Sequence, residues 1–510
     1  MDLIKLKQLI TNNKCILGLL ILFALVYTFN LDKYPHLWID EVYFSNPAYN
    51  LAFHGFLGTT MMPTFYNIAN YTYWQMPFYM ILLATSFKLF GFGIIQARIV
   101  SVIFGFFTVL FTYLFAKELY SQKIGLIAAT FLIFNPLFFI VVRQARMDIV
   151  IVCFILIALY FIINGLKNNR GIYYFGSGIF AGLSVLTHPN AVMGIISIVL
   201  IYCMYKIDFK TFKVNFKLKE IIYWILGPVL LVIPYLYYIS LDFHNFLNQF
   251  NTNIISSAST PLNNIFTEKI RYISTISIIL DVDTVFTLIV ILILAYFTLL
   301  GLLYVLKNRT EISGKILIMI LGVHLVLLTV LVSQKDAPEY LGLVLPYLSI
   351  LMSLPFKFKI TYNKLIKPIV IVLFSAFIFL NALGFINVFN INSYYNYQDV
   401  NSAVEYYIPN GSVVVGYTDY WVTLHNNYTF YSYLTLTIAD FKRLKVKYIM
   451  YDQYLTIHSR PKVDKEIRQF LDTDFSGLHS YLKRNCTLVG EIPHNTNITY
   501  SPIKIYKINY

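Results

Sequence analysis

Residues 16–43 read ILGLLILFALVYTFNLDKYPHLWIDEVY, an apolar run followed closely by two adjacent acids, Asp40 and Glu41. The run has the composition of a membrane span, and no small-residue cleavage site follows it, so we interpret it as a retained first helix. A chain poor in charge thus places two carboxylates just where it leaves the membrane. The side of the membrane that they reach decides the chemistry that is open to them.

The composition is that of a membrane protein. Of 510 residues, 58% are hydrophobic and only 13% are charged, whereas about a quarter of the residues in a soluble protein are charged. The net charge of +14 could indicate nucleic acid, but its placement along the chain fits the surface of a membrane instead. Cysteines are few and widely spaced, and no two histidines have zinc-ligand spacing, so neither a disulfide framework nor a metal site is predicted.

The hydrophobic runs predict an all-α polytopic membrane domain with about eleven transmembrane helices, or up to thirteen if short runs also span. A short run at 77–90 has the length of an interfacial or re-entrant helix and is left outside this count. The predicted spans lie at 15–30, 98–116, 123–142, 148–166, 172–187, 190–206, 220–240, 283–306, 314–333, 340–355 and 366–387.

The basic residues are distributed unevenly between the two sets of loops that these spans create. One set carries nineteen Lys and Arg residues, and the opposite set, before the C-terminal tail, carries eight. Cytoplasmic loops carry the excess of positive charge, so the N-terminus is predicted to be inside. The 31–97 loop with Asp40 and Glu41, and the tail beyond residue 388, are then outside.

The tail changes character and is predicted to form a small α/β domain. A Pro409-Asn-Gly411 turn leads into its first strand. We therefore predict a transmembrane domain at 1–387, whose first outer loop contains juxtamembrane helices, and an extracytoplasmic domain at 388–510. The predicted strands of the tail lie at 412–416, 448–451, 487–492 and 503–508, and its predicted helices at 400–407 and 464–470.

Several polar side chains converge on the outer face in this topology. Ionisable groups at membrane depth are costly, so those that persist usually line a cavity or a pathway. Besides Asp40 and Glu41, the candidate residues for binding substrate or donor phosphate are Arg143, Arg146, Asp148, His188, Lys335 and Tyr340.

Each candidate also has a structural interpretation. Arg143 and Arg146 could be helix ends that reach the interface, but positive charges on the outer side are disfavoured unless an anion binds there. Asp148 could pair with Arg146 or cap the fourth span. His188, beside Pro189 at a helix end, could be structural or could touch the substrate.

Acids and cations around one outward-facing cavity suit group transfer from a lipid-linked phosphate. The leaving phosphate needs charge neutralisation by Arg or Lys, and the incoming hydroxyl needs one carboxylate as general base. Adjacent side chains tend to point apart, so we assign the base to Asp40 alone, and Glu41 then holds the loop, the sugar or the acceptor. The predicted reaction is an inverting glycosyl transfer on the outer face of the membrane.

The order of these motifs resembles the integral-membrane GT-C glycosyltransferases, in the branch of protein O-mannosyltransferases and lipid A aminoarabinose transferases. The resemblance covers the chain from Trp38 to about Pro355, and the overall plan extends to the outer C-terminal domain. Its elements are the Asp40-Glu41 pair, Gln75-Met-Pro77-Phe, Ala-Arg-Ile-Val-Ser at 97–101, Arg-x-x-Arg-x-Asp at 143–148, Gly-Leu-Ser-Val-Leu-Thr-His-Pro at 182–189 and Tyr-x5-Pro at 340–346.

The resemblance implies a polyprenyl-phosphate sugar donor, inverting transfer, and no required cofactor, with a divalent cation allowed but not indicated. It implies that Asp40 is the base, that Glu41 is its companion and that Tyr340 lies near the donor phosphate, with the 143–148 motif along the same cavity. One departure is that relatives often have Lys or His before a Pro-Pro-Leu in the juxtamembrane helix, where this chain has Gln75-Met-Pro-Phe. Phosphate binding then rests more on Arg143, Arg146 or Lys335, or the donor differs.

Alternative functions would use the same residues differently. A lipid-linked glycan flippase or transporter predicts inverted repeats and charges near the membrane midplane, and the sequence has neither. A polysaccharide ligase uses the same class of donor, and a non-catalytic relative would bind a partner through its outer domain. The expected partners are the lipid-linked donor, a protein, lipid or glycan acceptor, and membrane lipids, without nucleic acid. The expected location is a prokaryotic plasma membrane.

Overall fold

The computed structural model describes residues 14–208, 211, 213–257, 284–331, 338–358, 366–393, 396–452, 477–493 and 502–510. The chain divides into two units, which we call the helical unit and the mixed unit. The helical unit comprises Met1–Leu31, Arg98–Tyr238 and Ser257–Asn390, and the mixed unit comprises Asp32–Ala97, Ile239–Ser256 and Ile391–Tyr510.

Each predicted membrane span has a helical counterpart, which confirms the polytopic helical fold class. Within the described residues, seven helices are long and apolar enough to cross a membrane, or eight if a bent pair counts as one span. Four of the eleven predicted spans are short or broken, so they do not reach this length. The helices are α1 (Lys14–Thr28), α2 (Ile39–His54), α3 (Pro77–Phe90), α4 (Ile94–Leu119), α5 (Gln122–Ile133), α6 (Pro136–Arg143), α7 (Asp148–Asn168), α8 (Gly171–Thr187), α9 (Val192–Lys206), α10 (Leu218–Ser240), α11 (Phe243–Ser257), α12 (Thr284–Lys307), α13 (Ile312–Leu331), α14 (Leu345–Ser353), α15 (Ile366–Ile391), α16 (Asp399–Glu405), α17 (Trp421–Leu424), α18 (Ile438–Arg443) and α19 (Leu478–Asn485).

The third predicted span, at 123–142, is two helices rather than one. α5 and α6 meet at an angle of 69°. The Asn135 side chain accepts hydrogen bonds from Leu137 N at 3.0 Å and Phe138 N at 3.1 Å, so it caps the start of α6. Pro136 suits the first helical position because its missing N–H would have had no partner there. The Asn-Pro dipeptide therefore ends one helix and begins the next.

α8 and α10 approach each other closely at glycines. A Cβ on Gly178 would lie 1.9 Å from the Trp224 carbonyl oxygen, and one on Gly227 would lie 2.4 Å from Ile179 N. Helices in lipid associate mainly by van der Waals packing, so residues without side chains permit this approach. Among the described residues, only 6% of the apolar window of α10 is buried, so few contacts hold it; they include this approach and the Lys206–Glu220 ion pair at 2.8 Å.

We expect Gly178→Ala to lower the thermal unfolding midpoint in detergent by several degrees. The new methyl group would meet a backbone carbonyl, which cannot move aside as a side chain can. The matched control is Gly18→Ala in α1, where a Cβ meets nothing within 4 Å and alanine gains up to about 1 kcal/mol of helix propensity. Equal midpoints for the two variants would contradict the close contact.

The mixed unit contains a five-stranded sheet in the order β4-β3-β5-β7-β6. β3 runs parallel to β4 and β5, and β7 runs antiparallel to β5 and β6. In β7, buried Ile503 and Ile505 alternate with more exposed residues, as expected for a half-buried strand. The strands are β3 (Val413–Gly416), β4 (Thr429–Ser432), β5 (Tyr448–Tyr451), β6 (Cys486–Ile492) and β7 (Ile503–Ile508); β1 (Ile207–Asp208) and β2 (Lys213–Val214) form a separate hairpin in the helical unit.

The four strands predicted in the tail are confirmed, and so is the helix at 400–407, which is α16. The predicted helix at 464–470 lies outside the described residues. β4, with the sequence Thr-Phe-Tyr-Ser, was not predicted. α17 and α18 were not predicted either, since four and six residues are too few to show a helical period.

The segment that follows α1 in the sequence packs into the core of this sheet. Leu37 and Val42, at the start of α2, and Met61 and Phe65, in the loop after it, belong to the same buried cluster as the strands. Ser432 N, at the end of β4, donates to Met61 O at 2.9 Å. The helix that carries Asp40 is therefore built into the α/β core.

One glutamine fastens α11 to the loop before α3. Gln249 is fully buried, and its Oε1 accepts a hydrogen bond from Tyr73 N at 2.8 Å. Its Nε2 donates to Tyr66 O at 2.9 Å and to Tyr71 O at 3.0 Å. The mixed unit thus draws three separate stretches of the chain into one body.

An aromatic cluster joins α2 to α17. The His425 ring stacks on Trp421, with centroids 4.6 Å apart, and meets the edges of Tyr49 and Phe92, each at 4.8 Å. His425 Nδ1 lies 3.1 Å from the carbonyl oxygens of both Trp421 and Val422. Burial lowers the pKa of His425 from its ordinary value, and the two carbonyl contacts oppose this shift only in part.

The lowered pKa predicts a loss of stability in acid. Because the folded protein resists protonating His425, its contribution is complete above the ordinary histidine pKa near 6.5 and is lost as the pH falls below that value. We expect the unfolding midpoint to fall between pH 7.5 and pH 5.0, and to fall less in His425→Phe, which keeps the ring packing. An equal fall in both proteins would assign the acid sensitivity to other groups.

Candidate active site

The two adjacent acids lie in the first turn of α2, a helix within the 31–97 segment. Glu41 is buried, and its Oε1 accepts a hydrogen bond from Trp38 N at 3.1 Å, while Glu41 N donates to Trp38 O at 2.9 Å. This carboxylate therefore supports the helix start, where a negative charge is also favoured by the helix dipole. Asp40 is partly exposed. The neighbours thus have different environments.

Tyr43 lies close to Asp40 and to a second carboxylate, Asp419, which was not predicted. Burial raises the pKa of Tyr43, whose hydroxyl hydrogen-bonds to Thr418 and feels the negative charges of Asp40 and Asp419. Asp419 is buried in the short helical turn at 418–420, just after the end of β3 at Gly416. A polar residue after the carboxyl end of a parallel strand is a recognised signal for a functional position, and it could have identified Asp419.

Arg143 is fully buried and holds the end of α1. Its Nη1 donates to Tyr27 O at 2.9 Å and Val26 O at 3.3 Å, and its Nη2 donates to Asn30 O at 2.8 Å. The last carbonyls of a helix have no partner within the helix, and a cation there is also favoured by the dipole. Arg143 therefore has the geometry of a C-terminal cap for α1.

Arg98 makes a similar contact one residue farther along. It is fully buried, and its Nη1 donates to Leu31 O at 2.9 Å. Two of the arginines that the predicted topology puts on the outer side thus donate hydrogen bonds to backbone carbonyls at and after the end of α1. Their positive charges do not by themselves indicate an anion site.

Arg146 is arranged differently, because its partner is a side chain. Its Nε lies 2.9 Å from Asp148 Oδ2, and both side chains are buried. The predicted pairing is confirmed, whereas the predicted cap is wrong, since Met147 is the N-cap of α7 and Asp148 is its first residue. The guanidinium carbon of Arg146 also lies 5.6 Å from the centre of the Tyr340 ring.

His188 adjoins the same group of residues. Its ring centroid is 6.5 Å from that of Tyr340. Its Nδ1 accepts a hydrogen bond from Asn190 N at 3.1 Å, so the proton of a neutral imidazole is on Nε2. The structure therefore brings together Arg146, Asp148, Tyr340 and His188, all in the helical unit, and places a donor group on His188.

The remaining candidate, Lys335, lies outside the described residues. Over the part of the chain that the structure describes, no three His, Cys, Asp or Glu side chains are grouped so that they could hold a metal ion. The helical unit thus offers a cationic and hydrogen-bonding cluster, and the mixed unit offers a partly exposed carboxylate at a fixed helix start.

Asp148→Leu is expected to destabilise the helical unit by about 3–5 kcal/mol, because it leaves the Arg146 charge buried without its carboxylate. The double variant Arg146→Met with Asp148→Leu should recover most of that loss, since it removes both charges. Thermal unfolding in one detergent measures both. A double variant that unfolds as early as the single one would show that the ion pair does not determine the stability of this cluster.

Comparison with known proteins gives one family and several solved structures. The family described as dolichyl-phosphate-mannose-protein mannosyltransferase matches residues 75–238. The structure of ArnT from Cupriavidus metallidurans bound to undecaprenyl phosphate is similar with a TM-score of 0.62 and 11% identity, covering 97% of this chain and 98% of that chain. No curated protein sequence matches.

Two further structures are similar over most of this chain. The oligosaccharyltransferase of Archaeoglobus fulgidus has a TM-score of 0.57 and 14% identity, covering 89% of this chain and 71% of that one. The arabinofuranosyltransferase AftD from mycobacteria has a TM-score of 0.54 and 12% identity, covering 97% of this chain and 40% of that one. At these identities the likeness is one of fold.

Proposed function

We propose that this chain, which has the fold of the GT-C integral-membrane glycosyltransferases, transfers a sugar from a polyprenyl-phosphate donor to an acceptor. The fold confirms the predicted resemblance, and the chain is an integral multi-pass membrane protein. The observation that carries the proposal is the division of roles between two neighbouring acids. The Glu41 carboxylate accepts a hydrogen bond at the start of α2, and Asp40 beside it remains partly exposed.

The donor is proposed from the solved structures. ArnT was solved bound to undecaprenyl phosphate, and the Archaeoglobus fulgidus enzyme AglB was solved with a dolichol-phosphate. Both molecules are long polyprenyl chains with a phosphate at one end. A chain of the same fold, with apolar helices and a cationic cluster in its helical unit, suits a donor of this class.

In the proposed reaction the acceptor oxygen attacks the anomeric carbon of the donor sugar. Asp40 takes the proton of the acceptor hydroxyl, and the bond between the anomeric carbon and the phosphate oxygen breaks. The polyprenyl phosphate leaves with the electron pair of that bond. One displacement inverts the configuration at the anomeric carbon, so a single base is sufficient.

The leaving phosphate needs cations and hydrogen-bond donors. We assign these roles to the Arg146 guanidinium, which Asp148 orients, and to Nε2–H of His188 and the hydroxyl of Tyr340. Lys335 is proposed as a further cation. Arg143 supports this group from α6 and does not contact the phosphate, because its guanidinium is occupied by the carbonyls of α1.

The sidedness of the proposal follows from the charge distribution. The excess of Lys and Arg in one set of loops supports an N-terminus on the inside and Asp40 on the outside. The reaction is therefore proposed for the outer face of a prokaryotic plasma membrane, with a protein, lipid or glycan as acceptor. No metal ion is given a part in it.

Asp40→Asn is expected to lower the turnover number by about 10²–10⁴-fold, because the amide cannot accept the hydroxyl proton. Glu41→Gln is the matched control, since its Oε1 can still accept from Trp38 N, and it should lose less than tenfold. Transfer from a radiolabelled polyprenyl-phosphate hexose is measured in membranes of the source cells, which contain the acceptor.

Two outcomes would contradict the proposal in different ways. Wild-type transfer by Asp40→Asn would remove the assigned base. No transfer by either protein, together with movement of the labelled lipid across vesicles containing the purified chain, would indicate a flippase instead.

A further inference from the structure

The mixed unit contains a cavity of about 300 Å³ that is separate from Asp40 and its neighbours. Four parts of the chain line it: Asp32, residues 92–96 before and at the start of α4, residues 396–401 around the start of α16, and residues 422–426 in and after α17. These stretches are far apart in sequence but belong to one unit. The cavity is therefore a feature of the folded unit.

The lining is polar but carries little charge. Five carboxamide side chains line it: Gln96, Asn396, Gln398, Asn401 and Asn426. No Lys or Arg is among the described residues that line it, and Asp32 is the one carboxylate there. A phosphate would find amide donors there, but it would also meet the Asp32 carboxylate and no cation among the lining residues, so the lining favours a neutral ligand over an anion.

Two buried acceptor atoms on the lining have no hydrogen-bond partner among the described residues. One is Asn401 Oδ1 and the other is His425 Nε2. His425 Nδ1 lies 3.1 Å from two carbonyl oxygens, so in the neutral imidazole it must carry the proton, and Nε2 is an acceptor. Buried acceptors are rarely left without a donor, so a water molecule or a hydroxyl group of a ligand would satisfy both atoms.

Apolar surface accompanies these acceptors. Phe92 and Tyr397 line the same cavity, and Phe92 is held in place by its edge contacts with Trp421 and His425. A ligand that suits this lining has many hydroxyl groups, no phosphate and apolar C–H faces. Sugars combine these three properties.

We propose that this cavity is a binding site for a neutral glycan, formed by carboxamides, two unpartnered acceptors and aromatic side chains of the mixed unit. It is separate from the catalytic step, because Asp40 is not among its lining residues. Hydroxyl groups of the glycan donate to Asn401 Oδ1, His425 Nε2 and the Asp32 carboxylate, and accept from the amide N–H groups. The site holds a glycan whether or not transfer occurs.

The test is saccharide binding to the purified full chain, reconstituted in nanodiscs so that no sugar-based detergent competes. The probes are mannobiose, chitobiose and arabinobiose, with glucose 6-phosphate as a charged comparison, and binding is followed by saturation-transfer NMR and titration. We expect at least one neutral disaccharide to bind in the millimolar range and the phosphosugar to bind at least tenfold more weakly.

Asn401→Leu and His425→Phe should each weaken this binding by about tenfold, which is the effect of one good hydrogen bond at 1.4 kcal/mol per tenfold. Asn401→Leu removes an unpartnered buried acceptor, so its unfolding midpoint should not fall, which distinguishes lost binding from lost folding. The matched control is Asn485→Leu, an exposed asparagine of α19 outside the cavity.

Asp40→Asn separates this inference from the proposed reaction. It should bind the disaccharide as the wild type does, even where transfer is lost. The proposal is overturned if no neutral disaccharide binds at a concentration on the order of 0.1 M, well above a millimolar dissociation constant. Tighter binding of glucose 6-phosphate, or equal binding by Asn401→Leu and the wild type, also overturns it.

Discussion

A guanidinium group buried in protein must find oxygen atoms, and this constraint organises the helical unit. Arg98 and Arg143 meet it with carbonyls in and just after the last turn of α1, and Arg146 meets it with the Asp148 carboxylate. The first helix is thereby fixed from two later parts of the chain. Because an unpaired buried charge costs several kcal/mol, these contacts leave little freedom in how α1, α4 and α6 are arranged.

The mixed unit is built on a different principle, which is the burial of apolar side chains from distant stretches of sequence. Residues 32–97 supply part of the core of a sheet whose strands lie beyond residue 412. The proposed base at Asp40 and the proposed glycan cavity therefore belong to one body, although nothing in the linear order of the chain joins them. A unit of this kind can hold the acceptor substrate next to Asp40, the proposed base that takes its proton.

Composition and periodicity predicted the helices and strands. They did not predict features that depend on one side chain, such as a helix break or a hydrogen bond between distant segments. The helical runs and four strands were located correctly, apart from the run at 123–142, because length and alternation are properties of whole segments. The break between α5 and α6 was missed, although Asn135-Pro136 is a signal for it. The sequence could not show whether Arg143 binds an anion or the carbonyls of α1. That distinction depends on the contact between two segments that are more than a hundred residues apart. The cavity of the mixed unit could not be predicted either, because its lining residues are far apart in the sequence.

The glycine contact between α8 and α10 has a practical consequence for anyone who isolates this protein. Among the described residues, little of the apolar surface of α10 packs against protein, and the interior of a micelle is as apolar as that of a bilayer. Extraction therefore leaves α10 with the glycine contact, the Lys206–Glu220 ion pair and the Trp224–Ser177 hydrogen bond, without the lateral confinement that lipids provide. We expect solubilising agents that retain a lipid-like surround to preserve its docking best.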